Sequence, residues 1–235
     1  MPSPLPLADA TWILACPLPP DTAACRALSA QLAARLLPWL SPAQAAHLAA
    51  FRRERDSCAR RLARVALATM LAARGERPES LLPRLTRLPG GAPFLPGWAV
   101  AFSYSEEAAF AALLPAGGRR LPFGLDAEAC FSPPPHASAF SGRERRPGGQ
   151  MPDRERLRRW VIKESLLKAA GTGLTRDPAM VDSGRCGQRR GRTEWADGTL
   201  FWHCLPLPGH WLAVAAARPL RIRAIIRPPG ALLLP

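Results

Sequence analysis

Apolar and polar positions along the chain change period several times, and each change marks an element. Residues 11–16 are almost uninterruptedly apolar and read as a short buried strand, ended by Pro17, Pro19 and Pro20. Residues 22–37 carry Ala and Leu at helical spacing and stop at Pro38. Ser41-Pro42 sets a capping hydroxyl before a proline at the first helical position, a good helix start. The strongest helix prediction covers 53–74. There Leu62, Val65, Ala66, Met70 and Ala73 form an apolar stripe, with Arg52, Arg53, Arg55, Arg60, Arg61 and Arg64 on the other face. Gly75 is the expected stop. Residues 76–97 are rich in Pro and Gly and read as loop. Residues 98–104 and 108–114 read as a strand pair around a Ser-rich turn, and the break at 115–118 is the expected boundary between halves 1–116 and 117–235.

The second half opens with an expected strand at 121–126. Residues 132–152 contain Pro133-Pro134-Pro135 and Pro147-Gly148-Gly149 and read as an irregular loop. Asp153 can cap a helix running to about Ala170, stopped by Gly171 and Gly173. Residues 183–192 read as a basic flexible loop, and strands at 199–205 and 210–217 are expected to finish the fold. No internal sequence repeat is visible. Both halves nevertheless run strand, helices, strand pair.

Composition narrows the class. The 235 residues are 48% hydrophobic and 21% charged, enough apolar material for a buried core. Proline is in excess, 27 residues against a usual share of about 5%, so long uninterrupted helices should be few. No apolar run reaches the ~18 residues of a membrane span, and the N-terminal Met1-Pro2-Ser3-Pro4-Leu5-Pro6 lacks the pattern of a secretory leader. The six cysteines (Cys16, Cys25, Cys58, Cys130, Cys186, Cys204) show no CxxC spacing, which argues against a zinc ribbon and for reduced thiols in a cytoplasmic protein.

The net charge is +14 and implies an anionic partner: nucleic acid, a phosphorylated small molecule or an acidic protein. Of 32 basic residues only Lys163 and Lys168 are lysines. Against an arginine-rich background, two compact point charges five positions apart ask for a reason. A nucleic-acid-binding protein is the competing class, since arginines and seven tryptophans permit phosphate contacts and stacking. It is disfavoured because there is no zinc-finger spacing or aromatic RNA-binding strand, and the arginines are spread over the whole chain.

Two segments carry candidate chemistry. In Phe123-Gly124-Leu125-Asp126-Ala127-Glu128 two carboxylates stand at i and i+2. On a strand they share a face, about 7 Å apart along the chain. Such a pair repels itself unless a cation intervenes, and hard oxygen ligands suit Mg²⁺; a solvated strand end is the plain alternative. In Trp160-Val161-Ile162-Lys163-Glu164-Ser165-Leu166-Leu167-Lys168, Glu164 and Lys168 are i, i+4 on the 153–170 helix. That is either a functional pair or one surface ion pair worth about 0.3–0.5 kcal/mol.

Together the two segments are more specific. G-[IVL]-D-x-E followed by W-x-x-K-E-[AS]-x-x-K resembles the 4′-phosphopantetheinyl transferases of the Sfp type, in the holo-acyl-carrier-protein synthase superfamily. Gly171-Thr172-Gly173-Leu174 is similar to the family's Gly-x-Gly-Leu ending, Gly91-Ala92-Pro93 to its Gly-x-Pro, Phe102-Ser103-Tyr104-Ser105 to its Ser-His-Ser turn, and residues 209–215 to its last strand. The likeness spans roughly residues 40–218.

The resemblance implies an α+β fold of two similar halves packed in pseudo-twofold fashion, with the active site in the cleft between them. It implies Mg²⁺-dependent transfer of the phosphopantetheine arm of coenzyme A to a serine of an acidic acyl or peptidyl carrier protein, releasing 3′,5′-ADP. Asp126, Glu128 and Glu164 would hold the metal, and Lys168 would stabilise the leaving group. Lys163 would contact phosphate or the carrier, and Glu164 or a metal-bound water would be the base. Arg52, Arg61, Pro93, Ser103, Tyr104, Lys163 and Lys168 would bind the coenzyme. The 129–152 loop, with Phe131 and Phe140, would help dock the carrier. A monomer is expected, with no nucleic-acid or membrane partner. Two departures stand out. The family's turn histidine is Tyr104 here, which cannot carry a positive charge at neutral pH, and that motivates a further alternative, a transferase fold that only binds. The lysines some members carry before the long helix fall near Gln44 and His47, and Arg52, Arg53 or Arg61 would replace that charge.

Overall fold

A computed structural model describes residues 10–88, 90–145 and 151–233. In chain order they form β1 (Thr11–Pro17), α1 (Thr22–Leu36), α2 (Pro42–Ala49), α3 (Glu54–Ala72), α4 (Pro78–Leu81), β2 (Thr86–Arg87), β3 (Pro93–Phe94), β4 (Trp98–Tyr104), β5 (Ala108–Pro115) and β6 (Phe123–Ala129). There follow α5 (Asp153–Ala170), β7 (Arg190–Trp195), β8 (Gly198–Leu207), β9 (His210–Ala216), β10 (Ile222–Ile226) and α6 (Pro229–Leu233).

Two four-stranded sheets hold the molecule together, ordered β10-β1-β5-β4 and β6-β9-β8-β7. In each half the opening strand lies beside the last strand of the hairpin, β1 beside β5 and β6 beside β9. The chemistry of the strands explains the layering. β1 and β5 are apolar at nearly every position because both of their faces are covered. Trp12, Leu14 and Cys16 pack with Ala109, Ala111 and Leu113 against α1 and α3. The alternate residues Ile13, Ala15, Phe110, Ala112 and Leu114 pack onto Phe123, Leu125 and Ala127 of β6 and Leu212, Val214 and Ala216 of β9. The opposite face of the second sheet, including Ala213, Ala215 and Trp202, is covered by Val161, Ile162 and Leu166 of α5. The order is thus helices, sheet, sheet, helix, an α+β arrangement.

Local signals set the helix ends. Asp21 caps α1 by accepting from the Ala24 amide, and Ser41 caps α2 by accepting from that of Gln44. α5 begins at Asp153 after Pro152, and Gly171 closes it in the left-handed conformation, φ 71°.

Three expectations are corrected. The chain does not finish at residue 217: β10 pairs in parallel with β1, and Leu232 of α6 enters the cluster around α3. Residues 222–233 therefore pack with the first half, not the second as a cut at 116/117 would place them. The basic stretch 183–192 is not all loop, because Arg190 opens β7, the outer strand of the second sheet. The strand expected at 121–126 runs on to Ala129, so Asp126 and Glu128 both lie inside it. Residues 1–9 and 146–150, parts of the expected first half and of the 132–152 loop, are outside the described residues. No described helix is long and apolar enough to cross a membrane.

Candidate active site

The site forms where β6 meets α5. With Phe123, Leu125 and Ala127 turned to the sheet–sheet core, Gly124, Asp126 and Glu128 face the helix. Gly124 lets α5 come close: a Cβ there would run into the Ser165 carbonyl oxygen and lie 2.5 Å from the Ala169 nitrogen. The helix thereby lays its last turn over the strand, and Lys168 Nζ donates to Asp126 Oδ1 at 2.6 Å.

Asp126 is buried, and its two oxygens differ. Oδ1 also accepts from Ser103 Oγ at 3.2 Å. Oδ2 is buried with no hydrogen-bond partner among the described residues. An acceptor left so is costly in the absence of a ligand. Burial and then the nearby Asp126 push the Glu128 carboxyl up to about 7, and the same two causes raise Glu164. Burial disfavours the Lys168 ammonium, but Asp126, Glu164 and Glu128 outweigh it and raise its pKa. Three carboxylates thus share one ammonium, an arrangement that attracts further positive charge. Among the described residues no group of three Asp, Glu, His or Cys side chains is arranged to hold a metal ion by itself. The unpartnered Oδ2 and the hard oxygen donors fit a divalent cation such as Mg²⁺.

A second feature lies on the first half. A cavity of about 270 Å³ is lined by Gln44, His47, Arg64, Arg87, Pro93 and Phe102, among others. Burial, then Arg87, Arg64 and Arg60, lower the His47 pKa. Arg87 Nη2 lies 3.0 Å from His47 Nε2. The Arg60 guanidinium stacks over Phe51 and Tyr104, at 4.0 and 4.6 Å, and Arg64 lies over Phe102 at 5.3 Å. Gln44 Nε2 donates to the Leu82 and Leu85 carbonyls, 2.7 Å each, tying α2 to the rim. A neighbouring cavity of about 440 Å³ is lined by Gly118, Arg120, Lys168 and Gly171, and Pro93 borders both.

Several anticipated residues stand elsewhere. Lys163 is fully buried and donates to Glu144 Oε2 (2.8 Å), the Pro178 carbonyl (2.8 Å) and the Val181 carbonyl (2.6 Å). With all three protons used internally it is not placed to meet phosphate or a carrier. Arg61 donates to Ser29 Oγ (2.7 Å) and Ser57 Oγ, so it ties α3 to α1. Arg52 is exposed before α3 and does not line the arginine cavity. Ser103 gives its proton to Asp126. Of the two phenylalanines offered for docking, Phe131 is exposed and Phe140 is buried at 1%. The sequence offered the arginines of helix 53–74 collectively for the nucleotide and singled out Arg61 among them; it did not bring Arg60 and Arg64 together with Arg87 and His47. The i, i+4 spacing of Arg60 and Arg64, which puts both on one helix face, was the available signal.

Residues 122–216 match the 4′-phosphopantetheinyl transferase superfamily. The match begins one residue before β6 and ends with β9, so the matching segment holds the second sheet, α5, Asp126, Glu128, Glu164 and Lys168. Ser103, Tyr104 and the arginine cavity lie outside it. No curated protein matches the chain.

Proposed function

We propose that the protein is an Sfp-type transferase that moves the 4′-phosphopantetheine arm of coenzyme A onto a serine of an acyl or peptidyl carrier protein and releases 3′,5′-ADP. The observation that carries this reading is the unpartnered, buried Oδ2 of Asp126 beside Lys168, with the carboxylates of Glu128 and Glu164 close enough for Asp126 to raise their pKa values, inside a segment of the matching superfamily.

Asp126, Glu128 and Glu164 would hold Mg²⁺, which when bound polarises the diphosphate and neutralises charge on the leaving group. Lys168 reaches both Asp126 and the 440 Å³ cavity, and there it would meet the diphosphate oxygens as a point charge. Glu164, its pKa raised by burial and Asp126, would accept the serine proton. The cavity ringed by His47, Arg64 and Arg87, with Arg60 and Tyr104 beside it, would take the nucleotide and its 3′-phosphate. Pro93 would border the path between the two cavities. Fixing the diphosphate between the halves supplies positioning, the main demand of phosphoryl-type transfer. The net charge of +14 favours encounter with acidic carriers.

The test is incubation with coenzyme A, Mg²⁺ and several apo carrier proteins, followed by intact-protein mass spectrometry. One added phosphopantetheine per carrier, lost with EDTA, is expected. No transfer to any carrier, together with tight salt-sensitive DNA binding, would overturn the reading.

A further inference from the structure

Ser103 sits on β4, an edge of the first sheet, next to β6, an edge of the second. The two strands belong to separate sheets, and the Ser103 hydroxyl, 3% exposed, bridges them. A hydroxyl has one proton to give and can accept in turn. Here the acceptor side is taken by the Ala127 amide of β6 at 3.1 Å, which aims the single proton at Asp126 Oδ1. Lys168 donates to the same oxygen. Two donors on Oδ1 leave Oδ2 as the free one. The last torsion of an aspartate is soft, so with Lys168 as its one donor the carboxylate plane could tilt, and the second donor, Ser103, fixes the direction in which the other oxygen points. Tyr104, the next residue, meets Arg60 instead, so neighbouring residues of one strand serve the two features separately.

We propose that Ser103 is a positioning residue for the metal carboxylate: it orients Asp126 so that Oδ2 is presented to the divalent cation, and it does not itself bind the coenzyme. The inference rests on the transferase reading above and adds to it a link from the first half of the chain to the metal ligands of the second.

The experiment titrates Mn²⁺ into wild type, Ser103→Ala, Ser103→Thr and Asp126→Asn without coenzyme, following free Mn²⁺ by electron paramagnetic resonance. Coenzyme A affinity is measured separately in EDTA. Ser103→Ala should weaken Mn²⁺ binding by about 10–100-fold, the usual cost of losing an outer partner of a ligand. Ser103→Thr, which keeps the hydroxyl on a strand that tolerates β-branching, should restore most of it. Coenzyme affinity in EDTA should be the same in wild type and both Ser103 variants. In turnover, Ser103→Ala should raise the KM for Mg²⁺ and leave kcat at saturating Mg²⁺ little changed. Unchanged Mn²⁺ affinity in Ser103→Ala, while Asp126→Asn loses it, would overturn the role given to Ser103 and leave the metal site standing. A fall in coenzyme affinity in EDTA would return Ser103 to the coenzyme contacts. Wild type that takes up no Mn²⁺ would overturn this inference, whereas the transferase reading stands or falls on the carrier-transfer assay.

Discussion

Gly124 and Ser165 are in van der Waals apposition across the β6–α5 contact, so close that any side chain at 124 would collide with the helix backbone. The consequence is chemical as well as steric, because the same approach sets Lys168 on Asp126. Gly124→Ala should push α5 off the strand. Overpacking of this kind costs about 1–3 kcal/mol, read as a lower urea midpoint, and transfer should fall more than stability does. A variant with wild-type midpoint and wild-type kcat would show that the contact is not what positions the site.

Lys168 keeps its charge in Lys168→Arg but loses its shape. A planar fork cannot replace a compact ammonium that touches a buried carboxylate and borders a cavity at once. Turnover should drop by at least about tenfold, a loss of ~1.4 kcal/mol in transition-state binding, with the circular dichroism spectrum unchanged. Full activity would remove the reason for the lysine.

Arg60 stacks on Tyr104 and Phe51 and leaves its charge beside the arginine-lined cavity. In Arg60→Ala, affinity for coenzyme A should fall by about 10–150-fold, the range that ~1.5–3 kcal/mol for a charged hydrogen bond corresponds to. Affinity for the analogue lacking the 3′-phosphate should hardly move. Calorimetric titration of both ligands checks the difference, and equal losses would place the 3′-phosphate elsewhere.

Glu144 is the buried counter-charge of Lys163 and also meets Arg159 and Ser183. Glu144→Gln would strand a buried ammonium, and breaking such a pair costs about 3–5 kcal/mol. The double variant Glu144→Gln/Lys163→Met should recover much of that loss in urea unfolding. The pH dependence follows from the same contacts. Burial raises the Glu144 pKa, but the Lys163 and Ser183 hydrogen bonds outweigh it and hold it below 4.5. Its folded value lies below its unfolded one, so its stabilising effect is present above 4.5 and lost as pH falls through the folded value. Glu144→Gln should flatten that acid limb of the stability curve. An unchanged limb would assign acid sensitivity to other groups, such as Glu155, which Arg158 and Arg159 hold low against burial.

What the chain determined by itself is what depends on near neighbours. The run of apolar residues at 11–16, the stripe along α3 and the glycine after Ala170 are local properties, and they locate β1, α3 and the end of α5. The two-residue spacing of Asp126 and Glu128 and the four-residue spacing of Glu164 and Lys168 likewise place each pair on one face, whatever the rest of the chain does. Tertiary structure decided what those faces meet. Lys163 and Lys168 look alike in sequence, but five residues on an α-helix are about 140° apart, so one enters the interior with Glu144 and the other reaches Asp126. Arg61 and Arg60 part for the same reason, one toward α1 and one toward Tyr104. Ser103, Phe140 and β10 take their partners from segments far away in the chain, and no local period records which segments those will be.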